Sequence, residues 1–393
     1  MCCFVYVSDR SVSMSNKNLA VEAVRGLAAL AVIFSHASLT FWPYLHGDFD
    51  QLRSGFERWV FNSPFGFVYS GSGAVCVFFV LSGFVLGRSV LGRDGLLQAL
   101  PGMVVRRYFR LMLPILISCL LAWAVFAFAL PRVDRHALGE WIRLFGAFDF
   151  SLGNAVEQGS VDTILWGAAD YNWALWTMRI EFFGSLLVYA LAALLDRWPR
   201  PDWLLPVAAL GCLLLVPGNG VYYALFVFGL WLAASEWTVD NRLLALSALL
   251  AGLYLVGYHE ASSSYNFIER NLDLSWRGES LANYDLANEL GGMLIVGAVL
   301  KSPWLGQRLS GRAMAWLGRM SFSAYLLHML VLATVAPLVF NALSPTLSYT
   351  GASLSSLAAS VAAIYLCSLP YARWVDDTSI HVSRTVSRLV WRR

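Results

Sequence analysis

Apolar residues in this chain gather into runs too long for an ordinary surface helix and lack the strict alternation of a half-buried strand. The runs fall at about 19–42, 71–87, 111–130, 172–195, 203–218, 221–236, 243–258, 285–301, 320–343 and 352–372. A helix rises 1.5 Å per residue, so ~20 residues cross the ~30 Å hydrocarbon layer, and only a closed backbone is tolerated there. The pattern predicts an all-α bundle of about ten transmembrane helices. No internal repeat interrupts it.

Composition agrees: 58% of the 393 residues are hydrophobic and only 13% charged, outside the range of soluble domains. Polar positions then set direction. Lys and Arg accumulate on the cytoplasmic side of a membrane. With the N-terminus inside, twenty of the 28 basic residues fall on inner segments, seven on outer ones, and Arg179 within the fourth run. An N-in, C-in topology is predicted, with a cytoplasmic tail at 1–18, a membrane domain at 19–372 and a basic cytoplasmic tail at 373–393. Met14 is an alternative start. Arg25 and His36 inside the first run argue against a removable signal segment.

Topology accounts for the net charge of +3, so no nucleic-acid partner is expected. Cys76, Cys119, Cys212 and Cys367 lie in apolar runs and show no metal-ligand spacing. Neither a metal nor a disulfide framework is expected. Cys2 and Cys3 are candidates only for acylation. Three outer segments, roughly 43–70, 131–171 and 259–284, have room for function and carry acidic residues together with Trp141, Trp166, Tyr171 and Trp276. Most such aromatics mark the membrane interface, the alternative being sugar stacking.

The ionisable residues inside the runs are the candidates for chemistry, because each is costly to place in a membrane. Arg25 and His36 are eleven residues apart, close to three turns, so they share a helix face with ~16 Å between them. Arg88, Arg106, Arg107 and Arg110 gather at the predicted inner mouth, where guanidinium forks suit the phosphates of a nucleotide-containing donor. Arg107 and Arg110 face one way at three-residue spacing, ahead of Pro114. Ser82 and Gly83 permit close helix approach. Glu181 lies nine residues along its run from Asn172, ~13 Å deep, and His36 seven residues from the outer end of its own, ~10 Å. A shared level predicts a pair, with His36 as general base and Glu181 orienting its ring. Trp176, Arg179, Tyr325 and His328 are supporting candidates, and His328 is the alternative base.

Several of these segments together resemble acyltransferase family 3: Arg25-x10-His36, FFVLSGF at 78–84, Arg107-x-x-Arg110 before Pro114, WTMRIE at 176–181 and SFSAYLLH at 321–328. The resemblance spans 19 to about 372. It implies an integral membrane O-acyltransferase in the cytoplasmic membrane of a bacterium, taking an acyl group, most often acetyl, from acyl-CoA. The acceptor would be a hydroxyl of an extracytoplasmic carbohydrate or glycoconjugate such as surface polysaccharide, O-antigen or peptidoglycan. It also implies donor binding by Arg25, Arg88, Arg107 and Arg110. Gly184 and Ser185 depart from the aromatic pair that often follows the Glu. The soluble C-terminal domain of some relatives is absent, so a second outer-face transfer would need a separate protein. A multi-pass transporter or flippase is the alternative class, weakened by the lack of repeats.

Overall fold

All ten predicted runs fall on helices in a computed structural model that describes residues 16–197, 203–271, 275–276, 279–280 and 283–390. Most of the expected N-terminal tail, with Cys2, Cys3 and Met14, lies outside the described residues, as does the Trp276 side chain. The main helices are α1 (Asn16–Phe41), α2 (Gly71–Val90), α3 (Leu96–Ala124), α4 (Trp176–Arg197), α5 (Leu204–Leu215) and α6 (Gly220–Ala234). They continue with α7 (Arg242–Val256), α8 (Asn283–Lys301), α9 (Arg312–Leu343), α10 (Tyr349–Tyr371) and α11 (Asp377–Val390). Among the described residues the only strands are the two-residue antiparallel pair Ser275–Trp276 and Glu279–Ser280. Six of the helical stretches, built on α1, α2, α3, α4, α9 and α10, are long and apolar enough to cross a membrane, while α5, α6 and α7 are shorter apolar helices.

Helix ends follow local chemistry. Ser70 accepts from the Gly73 amide at the start of α2, Asn241 from Leu243 and Leu244 at α7, and Ser348 from Gly351 at α10, each satisfying an N-terminal donor left open by the helix. Pro114 stays inside α3. The Tyr371 hydroxyl donates to its carbonyl at 2.5 Å.

Two glycine-lined crossings set the core. At Gly83 of α2 an added Cβ would lie 2.1 Å from the Phe226 carbonyl oxygen of α6, and at Gly229 it would lie 2.1 Å from the Val80 oxygen. At Gly26 of α1 a Cβ would lie 2.7 Å from the Gly318 amide of α9, and at Gly318 it would lie 2.3 Å from the Glu22 oxygen. Backbones this close need residues without side chains. Because α2 also packs on α1, α4 and α8, most of its residues are buried. By contrast, α5 exposes Val207, Leu210, Leu213 and Leu215, and α7 exposes Leu243, Leu244 and Leu250. Those faces suit lipid and not water.

The end of the chain corrects an expectation. Residues 373–390, predicted as a basic tail, continue from α10 through a π-helical turn at Ala372–Asp376 into α11, which packs on α3. Arg110 supplies the reason: buried in α3, it is ion-paired to Asp376 at 2.6 Å and donates to Ser379. Ser387 donates to the Gly102 carbonyl at 2.8 Å further along.

Replacing Gly83 with Ala should lower thermal stability by about 1–3 kcal/mol through overpacking. The same change at Gly297, where nothing lies within 4 Å of an added Cβ, should be neutral or mildly stabilising; equal melting shifts in detergent would contradict the crossing. Asp376→Ala should cost about 3–5 kcal/mol by stranding a buried guanidinium. Limited proteolysis should then release the C-terminal helix first, and an unchanged digestion pattern would show that the ion pair does not hold it.

Candidate active site

The parallel course of α1 and α9 away from their glycine crossing builds the centre of the site. His36 stands ten residues beyond Gly26 and His328 ten beyond Gly318, so the two imidazoles arrive at one level, with 3.3 Å between His328 Nε2 and His36 Nδ1. Their ring centroids are 4.9 Å apart. The hydrogen-bond network assigns the tautomers. His328 Nδ1 is 2.6 Å from the Tyr325 carbonyl oxygen and must donate to it, which leaves Nε2 as an acceptor. His36 Nδ1 then donates toward that Nε2 and toward the Val32 carbonyl, 3.1 Å away. The lone pair of His36 is thereby on Nε2, at the opposite end of the ring. His328 is fully buried behind it.

His36 lines a cavity of about 230 Å³ together with Ser35, His46, Tyr69, Ser72 and His259 among others. Trp173, Trp176, Tyr284 and Tyr325 complete much of the wall. The indole of Trp141 donates to Thr40 at 3.0 Å and lies edge-on to His36 with centroids 6.1 Å apart. Tyr325 is held from behind, its hydroxyl donating to the Ala174 carbonyl at 2.7 Å and lying 2.9 Å from the Thr177 hydroxyl.

The expected pairing of His36 with Glu181 is replaced. Glu181, itself buried, is salt-bridged to Arg107 and accepts from Ser82 at 2.9 and 3.0 Å. Arg107 Nε also donates to Ser185 at 2.8 Å. Glu181 is turned toward Ser82 of α2 and Arg107 of α3, not toward α1. It lines a separate space of about 10 Å³, room for one water at most, with Val75, Phe78, Phe79, Thr177, Met178 and Tyr325. Val75 and Tyr325 are shared between this space and the larger cavity.

The arginines do not form one open cluster. Arg107 and Arg110 share an inward face, as their spacing predicts, but each meets a buried carboxylate there. Arg25 is buried as well, bonded to Glu22 at 2.7 Å and 3.4 Å from the Gly318 carbonyl. Of the four expected donor-binding residues only Arg88 is exposed, near the end of α2. Arg179 lies over the Phe183 ring at 6.0 Å.

His46, Tyr69, His259 and Tyr284 were not singled out by sequence. They come from the 43–70 segment and from 259–284, and His259 sits 5.1 Å from the Tyr69 ring. Histidine itself was the available signal: the chain has only six, and His36, His46 and His259 line this cavity with His328 directly behind. Among the described residues no group of three or more His, Cys, Asp or Glu converges as a metal site.

Comparison with known proteins gives one match. No curated protein and no solved structure is matched. The profile of acyltransferase family 3, described as an acyltransferase domain, matches residues 18–367, a span that includes both histidines, Arg107, Glu181 and most of α10. The chain therefore belongs to acyltransferase family 3 and is a membrane acyltransferase.

Proposed function

We propose that the protein moves an acyl group, most simply acetyl, from cytoplasmic acyl-CoA to a hydroxyl of an extracytoplasmic carbohydrate or glycoconjugate, with His36 as general base and His328 fixing its tautomer. The observation that carries this reading is the His36–His328 pair, whose hydrogen bonds leave the lone pair on Nε2 of an imidazole that lines a partly open cavity of mixed polar and apolar character. A positioned neutral imidazole is the group best matched to taking a hydroxyl proton near neutral pH.

In the reaction, the acceptor oxygen attacks the thioester carbonyl while its proton passes to His36 Nε2. The C–O bond forms, the C–S bond breaks, and the departing thiolate takes the proton back from the imidazolium. His328 holds the opposite ring nitrogen, as an orienting partner does in other imidazole-based sites.

The donor's route has its own support. The large cavity meets α2 at Gly71, Ser72 and Val75, and the small one meets it at Val75, Phe78 and Phe79. Ser82 follows, bound to Glu181. Those positions recur at three- and four-residue steps and so form one face of the helix. Arg88, exposed near the end of α2, lies sixteen residues or ~24 Å from Ser72 along the axis, on the opposite side of the helix. A CoA phosphate group held near Arg88 would lie toward that end of the bundle, with its thioester arm reaching toward the level of His36. Glu181 and Arg107 act here as a buried polar anchor that keeps α2, α3 and α4 in register.

The orientation proposed is N-in and C-in. The positive-inside excess supports it.

His36→Ala should reduce CoA release about 10³-fold, and His328→Phe about 10²-fold by loosening the orientation of the His36 ring, with the KM for donor little changed in both. A thiol-trapping assay on purified, folded protein reads this directly. Transfer at the wild-type rate by His36→Ala would remove the proposed base. For topology, a cysteine at Glu157 should react with an impermeant maleimide in intact cells, and one at Asp94 only after permeabilisation. The reverse labelling would invert the bundle.

A further inference from the structure

We infer that Tyr69, Ser72, His259 and Tyr284 form an acceptor subsite that selects an uncharged, hydroxyl-bearing ring of about one sugar unit over an acidic one. The inference rests on the proposed acyl transfer for its biological meaning, but its physical basis is separate. The subsite is the part of the large cavity contributed by the 3-10 turn Gly66–Tyr69, the first turn of α2, the residues after α7 and the start of α8. These meet from four places in the sequence.

Its polar groups are arranged for hydroxyls. The Tyr69 hydroxyl is buried, with no hydrogen-bond partner among the described residues. A buried, unpaired hydroxyl is costly, and because Tyr69 lines the cavity, a small shift of its ring would let a ligand hydroxyl satisfy it. His259 Nδ1 is 2.8 Å from the Gly257 carbonyl oxygen, so it donates there and Nε2 is left as an acceptor. Tyr284 donates to Ser72 at 3.1 Å, which leaves the serine's own proton to point elsewhere. The wall thus carries both donor and acceptor groups. A sugar hydroxyl, which both gives and accepts a proton, can satisfy such a set, whereas a carboxylate only accepts.

Charge decides the selectivity. Among the described residues lining the cavity there is no Asp, Glu, Lys or Arg. The histidines do not supply a cation in their place: burial, with His259 and His36 nearby, pushes His46 down to about 3, and burial lowers His259 as well. An acidic sugar entering here would lose its hydration without gaining a counterion. Size points the same way, since about 230 Å³ is below the ~300–1,000 Å³ of pockets that enclose drug-sized ligands. Trp173 and Trp176 provide flat apolar faces beside these groups.

The test is equilibrium binding to the full chain in nanodiscs, without donor, by saturation-transfer NMR. The probes are methyl glucopyranoside and methyl rhamnopyranoside against methyl glucuronide. At least one neutral glycoside should bind at least tenfold more tightly than the uronide. Tyr69→Phe, which removes a single oxygen, should weaken that binding about tenfold, as should His259→Leu where the variant melts normally. Equal or tighter binding of the uronide, no binding of either neutral glycoside, or unchanged affinity in folded Tyr69→Phe would each overturn the subsite. Because donor is absent, binding of a neutral glycoside by a protein that releases no CoA would refute the proposed transfer and leave the subsite standing. Efficient acylation of the uronide would do the opposite.

Discussion

The close approach of α1 and α9 at Gly26 and Gly318 is the constraint on which the site depends. Side chains at either position would push the two backbones apart. Ten residues later, ~15 Å along each axis, that separation would become the gap between His36 and His328. A hydrogen bond at 3.3 Å does not survive a shift of 1 Å or more. Two residues without side chains therefore set whether His328 can back the Nδ1 proton that the Val32 carbonyl also holds.

Charge inside the bundle is handled by a different rule. Arg107 with Glu181 and Arg110 with Asp376 are each buried pairs with additional hydroxyl partners, Ser82 and Ser185 in one and Ser379 in the other. Desolvation removes much of the stability that such pairs give, yet breaking one is expensive. Their effect is selective: α3 can pack against α4 and α11 in one register only, because any other register leaves a bare charge in an apolar environment. In this chain Pro114 and the two arginines lie on one helix, so its curvature and its registers are set together.

The helices were legible in the sequence because apolar runs of membrane length are a bulk property, insensitive to any one residue. His36 was legible for the opposite reason, being a lone ionisable group in such a run. Pairing was harder. Counting residues gives a distance along a helix, but it says nothing of the direction a side chain faces around it. The i, i+3 spacing of Arg107 and Arg110 likewise predicted a common face without saying that the face is internal. At the C-terminus, Asp376, Ser379, Ile380 and Ser383 are the buried positions. They are spaced as a helix face yet mostly polar, so a search for apolar periodicity misses them. His46 and His259 lie more than 200 residues apart in segments without periodicity, and only the tertiary fold brings them together.

Tyr325 has a consequence for the membrane as a whole. Its ring is shared by the two cavities, and its hydroxyl is tied to the Ala174 carbonyl and close to Thr177. On one side lies a polar chamber, on the other a space for one water at most. If, as proposed, a hydrophilic donor arm and a hydrophilic acceptor meet at one point from opposite sides, the protein runs the hazard of becoming a proton wire. A pinned aromatic ring with an apolar partner, Val75, between the two spaces is the kind of break in a water file that would let chemistry cross the bilayer while the ion gradient does not.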